Sequence, residues 1–163
     1  MAISFQPTTE PDVARLLPLY NHYVRTDTAT FHTEEIDEAT LRALLFPGYP
    51  RFSSWTVHSD DALAGYVILA RYKPREAYDG SAEVTIYLDP AFVGKGLGTA
   101  AVTHAEAQAR ERGFHSLLAI ICGENTASLR LFEKCGFVKC AHYHEVGKKF
   151  GRWLDVISLE KLL

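Results

Sequence analysis

Three glycines at alternate positions, Gly94, Gly96 and Gly98, open a helical pattern in FVGKGLGTAAVTHAEAQARERG. Glycine accepts positive φ and lets the backbone come close to a ligand. N–H groups at a helix start lack intrahelical partners, and the helix dipole adds positive potential, so this turn suits phosphate oxygens. Lys95 adds a charge beside them. Just upstream, Glu83 lies mid-strand in SAEVTIYLD, where a carboxylate can take a proton from a nucleophile held near the loop. Taken alone, Glu83 reads first as a solvent-facing strand glutamate or an ion-pair partner. A second constellation is Cys140, His142 and His144, which alternate in KCAHYHEV and on a regular strand share one face. Sulfur and imidazole suit zinc, but no clear fourth ligand accompanies them and no metal is expected.

The elements that must position these groups are legible as periodicities. ISF reads as a short strand, and Thr9 with Asp12 reads as a helix start for EPDVARLLPLYNHYVR. Pro18 inside that segment predicts a kink or a later start. DTATFHTEEI reads as loop or short strand, and EATLRALL as a second helix. SSWTVHS and LAGYVILARY are strands joined by a tight turn, and SAEVTIYLD is a third. A helix follows from about Gly96 to Arg112, stopped by Gly113. HSLLAIICG is an apolar strand consistent with burial on both faces. NTASLRLFEKCG is a helix, and FVKCAHYHEV and RWLDVISLEKL are the last strands. The order β-α-α-β-β-β-α-β-α-β-β implies a mixed sheet with helices against it.

The chain of 163 residues fits one domain, residues 1–163. A formal charge of −3 gives no general reason to expect nucleic acid. The start MAISFQPTTE shows no signal peptide, and no long apolar run suggests a membrane span. Three cysteines cannot all pair within the chain, which fits a reduced, cytoplasmic protein.

Several ligands compete for the glycine turn. A P-loop requires GxxxxGK[ST], and the spacing around Lys95 fails it. Gly96-Leu-Gly98-Thr-Ala-Ala101 satisfies the dinucleotide form GxGxxA, but the next strand ends in ICGEN without the acidic residue expected about 20 positions on. A tight strand-to-helix turn that binds nothing is the plainest alternative. The pyrophosphate of coenzyme A is the remaining candidate.

The surrounding motifs bear on that choice. YNHYVRTDTATF, KPREAYDGSAEVTIYLDP, GKGLGT, NTASLRLFEKCGF and GRWLDV, from about residue 20 to 156, resemble the GNAT superfamily in its branch of phosphinothricin and related amino-acid N-acetyltransferases. The resemblance implies an α/β (α+β) GNAT fold, with a mixed, mostly antiparallel sheet of about seven strands and about four helices. It implies acetyl-CoA as cosubstrate, Glu83 as general base, and transfer of acetyl to the α-amino group of a small amino acid or analogue. It places the coenzyme on Val93, Gly94, Lys95, Gly96, Leu97, Gly98 and Thr99, and on the backbone of Ile86, Tyr87 and Leu88. Asn125, Ser128 and Phe132 are expected along its pantetheine arm. Phe31, Arg75, Tyr78 and Lys148 are expected at the acceptor, near the boundary of a homodimer. Two positions depart from the pattern: Val93 stands where Gln or Arg is usual, and Phe132 where tyrosine or histidine is common. They keep alive a second reading, a CoA-binding protein without catalysis. A small NAD(P)-binding reductase is the third.

Overall fold

A computed structural model describes all residues, 1–163. The elements follow in the order β1 (Ile3–Pro7), α1 (Glu10–Thr26), α2 (Glu38–Leu45), β2 (Ser53–Ser59), β3 (Ala62–Arg71), β4 (Ser81–Leu88), α3 (Leu97–Glu111), β5 (Ser116–Cys122), α4 (Thr126–Lys134), β6 (Val138–Lys149) and β7 (Arg152–Leu162), with single 3-10 turns at Glu76–Tyr78 and Pro90–Phe92. This is the order the periodicities predict.

Local chemistry accounts for the boundaries. At the start of α1, Asp12 Oδ2 accepts from both the Thr9 N–H (2.8 Å) and the Thr9 hydroxyl (2.9 Å). The helix then runs through Pro18 without a break, against expectation. Val13, Leu16, Tyr20 and Val24 are buried on one face, and that packing outweighs the hydrogen bond that proline removes. Phe150 and Gly151, with φ of 53° and 71°, form the two-residue turn between β6 and β7 and match the twist that such hairpins need.

The strands form one sheet in the order β1-β2-β3-β4-β5-β7-β6. Every neighbouring pair is antiparallel except β4 with β5. One apolar cluster packs α3 and α4 on one face, with Leu97, Val102, Phe132, Ile157 and Leu159 among its members. A smaller cluster packs α1 and α2 on the other face, around Leu16, Leu41, Tyr66 and Ile68. No helix is long and apolar enough to cross a membrane.

One irregularity positions the site. The parallel pairing of β4 with β5 covers only Ser81–Glu83 against Ser116–Leu118. Beyond Glu83 the two strands part, and the backbone of β4 from Val84 to Leu88 has no partner on that side.

Candidate active site

The gap between β4 and β5 opens into a cavity of about 580 Å³. Its walls come from β4 (Glu83 to Tyr87), β5 (Ile120 to Cys122), the loop after α1 (Ala29 to His32), α4 and its cap (Asn125, Ser128, Phe132), and Tyr20, Tyr66 and Ile68. Most of the lining is apolar, and such low-dielectric walls strengthen the interactions of a charge placed against them.

Glu83 stands at the fork, opposite Leu118 in the last paired position. Burial pushes its carboxyl up from an ordinary 4.5 to about 7, and burial is the sole cause. A carboxylate so placed can accept a proton near neutral pH. Burial also raises the phenols of Tyr20, Tyr66 and Tyr87 above their ordinary value, so they stay protonated around it.

The loop between α1 and α2 is fixed by a dense set of bonds. Tyr20 Oη lies 2.6 Å from Thr30 Oγ1 and 2.5 Å from His32 Nδ1, and Tyr87 donates to the Ala29 carbonyl at 3.1 Å. Lys149, only 2% exposed, reaches across from β6. Its ammonium donates to the carbonyls of Asp27 (2.5 Å), Thr30 (2.8 Å) and Tyr23 (3.5 Å), and burial lowers its pKa. Thr28 donates to Glu124, which also pairs with Arg152 at 2.7 Å. Phe31 and His32 are thereby presented to the cavity from a pinned loop.

The glycine turn follows β4 and opens α3, and Val93 to Thr99, like Leu88, lie outside the cavity lining. Gly96 caps α3 in the left-handed region, with φ of 85°, and no side chain caps the helix. The first N–H groups, at Leu97, Gly98 and Thr99, are left for a ligand or solvent. Gly98 has a different reason: a Cβ there would stand 3.0 Å from Leu131 of α4. The Leu97 side chain is fully buried in the core, so this residue offers only its backbone. Lys95 lies over the Phe92 ring at 5.5 Å, and Val93 is exposed.

The other expected residues divide. Ile86, Tyr87, Asn125, Ser128, Phe132 and Phe31 line the cavity with Glu83. Asn125 also caps α4, accepting from the Ser128 N–H at 3.2 Å. Phe132 is buried edge-on to Phe137. Leu88 has its carbonyl taken by the Tyr23 hydroxyl at 2.5 Å. Arg75 and Tyr78 lie in the turn after β3, outside the cavity lining, with Tyr78 packed edge-on to Tyr72. Lys148 sits over the Trp153 ring on the exposed hairpin, also outside the lining. Arg71 lines the cavity instead, its guanidinium held by Asp79 (2.8 Å) and by the Tyr49 hydroxyl (2.7 Å). Sequence reasoning missed Arg71, Tyr20, Thr30 and His32, which only the tertiary fold brings to one cavity. The shared face expected of Cys140, His142 and His144 does not form. The β6–β7 register shifts between Lys139 and Ala141, and this bulge at Cys140 breaks the alternation. His142 and His144 lie close to Asp155 instead.

A seven-stranded sheet parted between its two parallel strands, with helices on both faces, sets the architecture in which the cavity lies. Residues 16–137 match the acetyltransferase (GNAT) family, and the chain belongs to it. It is 32% identical to a phosphinothricin N-acetyltransferase of Alcaligenes faecalis, over 99% of this chain and 83% of that one. It is 31% identical to an L-methionine sulfoximine/L-methionine sulfone acetyltransferase of Salmonella typhimurium, over 91% of this chain and 88% of that one. The crystal structure of a GNAT superfamily phosphinothricin acetyltransferase from Sinorhizobium meliloti, in complex with acetyl-CoA, superposes with a TM-score of 0.93 at 25% identity, covering all of this chain and 89% of that one.

Proposed function

We propose that the protein is a single-domain enzyme that transfers acetyl from acetyl-CoA to the α-amino group of a small amino acid or analogue of the phosphinothricin or methionine sulfoximine type. One observation carries this reading: the half-buried, unpaired Glu83 carboxyl, its pKa raised to about 7, stands where β4 and β5 part, inside the cavity. The names of the relatives supply the substrate class, and the structural neighbour supplies the donor.

The chain's groups then take these parts. Backbone N–H groups at residues 94–99 hold the coenzyme diphosphate. The unpaired β4 stretch from Val84 to Leu88 receives the pantetheine arm as an added strand. Glu83 removes a proton from the acceptor ammonium, directly or through one water. The freed nitrogen forms the C–N bond to the thioester carbonyl, whose π electrons move to oxygen. Their return breaks the C–S bond and releases the thiolate, and the second proton of the attacking nitrogen passes to water or to the departing thiolate to leave the neutral amide. Phe132 cannot donate a proton, but a thiol with a pKa near 8.5 leaves without one. Phe31 forms an acceptor wall, and Arg75, Tyr78 and, across a homodimer boundary, Lys148 are the acceptor contacts that the resemblance implies outside the cavity lining.

Three unpaired cysteines suit a reducing compartment, the cytoplasm. Exposed Tyr143, Val146 and Phe150 on the β6–β7 hairpin suit the face of a homodimer. The test is thiol release from acetyl-CoA with a panel of amino acids that includes phosphinothricin and methionine sulfoximine. Saturable, acceptor-dependent release is expected. Binding of acetyl-CoA without release for any acceptor would favour the non-catalytic reading.

A further inference from the structure

We propose that His142, His144 and Asp155 form a binding site for a divalent transition metal of the zinc class, on the sheet face opposite α1 and α2 and outside the acyl-transfer cavity. One ligand atom from each lies within 4.8 Å of those of the other two. His142 Nε2 is 2.8 Å from Asp155 Oδ2, and the two imidazoles stack with centroids 4.1 Å apart.

The fold builds this arrangement. His142 pairs with Ile157 across the strands, whereas Tyr143 pairs with Val156. His142 and Asp155 therefore project on the face of the Ile157 and Leu159 core, and Tyr143 on the other. A second register shift, between Tyr143 and Gly147, includes Glu145 at a φ of 51°. The Glu145 N–H donates to Asp155 Oδ1 at 2.8 Å, so one carboxylate oxygen is anchored while the other faces the imidazole. The Asp155 carbonyl accepts from the Gly123 N–H at 2.9 Å. A Cβ at Gly123 would stand 3.1 Å from Asp155 Cβ, so the glycine leaves room for the carboxylate.

The donor set discriminates between cations. Two imidazoles and one carboxylate suit zinc and its neighbours, whereas calcium and magnesium prefer oxygen alone. Tetrahedral bonds of about 2.0–2.1 Å place neighbouring ligand atoms roughly 3.4 Å apart. Rotation of the exposed His144 ring out of its stack converges its nitrogen on the His142–Asp155 pair. Lys139 Nζ lies 3.2 Å from His142 Nδ1. When the metal takes Nε2, the imidazole proton moves to Nδ1 and the solvent-exposed Lys139 swings away, so no net proton is lost. Three protein ligands leave the fourth position to water.

The experiment uses the full chain purified without a histidine tag and titrated with zinc chloride by calorimetry, and with cobalt chloride by visible absorption. Saturable binding of one metal per chain is expected, with a rise in melting temperature on zinc addition. His144→Ala and Asp155→Asn each should weaken binding by at least about tenfold, while Cys140→Ser leaves it unchanged. Circular dichroism establishes that the variants are folded. Absence of saturable binding, or binding that survives His144→Ala and Asp155→Asn, overturns the proposal. Loss of binding in Cys140→Ser alone would overturn it in favour of the cysteine. None of these readouts depends on acetyl transfer, so failure here is distinct from failure of the proposed function.

Discussion

Glu83→Gln should make the protein more stable and nearly inactive. Burial raises the carboxyl from 4.5 to about 7. Each pH unit of that rise is worth 1.36 kcal/mol, so the 2.5-unit rise comes to about 3 kcal/mol. The sign follows from linkage. Below pH 4.5 the carboxyl is neutral in both the folded and unfolded chain, and its burial costs no charge desolvation. Between 4.5 and about 7 the unfolded chain ionises first, and stability falls by the full amount. Glutamine has the shape of the neutral acid and does not titrate. Compared with the parent, Glu83→Gln should therefore gain up to about 3 kcal/mol between pH 4 and pH 8. For a chain of this size that is a relative rise of roughly 6–12 °C in melting temperature. Turnover should meanwhile drop by about 10²–10⁴-fold, with acetyl-CoA binding nearly intact. In the parent, kcat/KM should climb with pH through about 7 as Glu83 loses its proton. Paired thermal unfolding at the two pH values, with steady-state kinetics, measures all of this. A stability difference that does not change with pH would refute the buried carboxylate, and a nearly fully active variant would remove Glu83 from the chemistry.

Gly96→Val forces a β-branched residue to a φ of 85°, and Gly98→Val drives a side chain into Leu131. Each should raise the KM for acetyl-CoA strongly in folded protein, and unchanged kinetics would take the diphosphate away from this turn. Lys149→Met leaves three carbonyls without their donor. It should cost about 1–3 kcal/mol in denaturant unfolding and raise the KM for the acceptor more than that for acetyl-CoA, because Phe31 and His32 ride on the released loop. Phe132→Tyr should change kcat far less than the roughly 10²-fold expected where an acid is required; a gain of that size would show that thiolate departure limits the parent enzyme.

The order of elements was legible because each has a clear period or cap: Thr9 with Asp12, the alternation of SAEVTIYLD, Gly113 after α3. The persistence of α1 through Pro18 was not, because burial of Leu16 and Tyr20 against other elements decides it. Within the site, Glu83 and the glycine turn could be found because they are adjacent in the chain. Arg71, Tyr20, Thr30 and His32 could not, since a cavity wall assembled from three strands, three helices and a loop leaves no spacing to read. Arg75 and Tyr78 resemble acceptor ligands in type, while the cavity wall itself carries Arg71, paired with Asp79. A bulge of one residue at Cys140 was equally invisible, and it exchanged a cysteine for an aspartate among the partners of His142.

The parted strands have a mechanical consequence. Only three residue pairs stitch the first four strands to the last three, so the sheet is two stiff plates sharing a short seam. A cofactor arm lying along the free backbone of residues 84–88 would lengthen that seam. The protein would then be at its stiffest when loaded and loosest just after release, with exchange of goods tied to flexing of the plates.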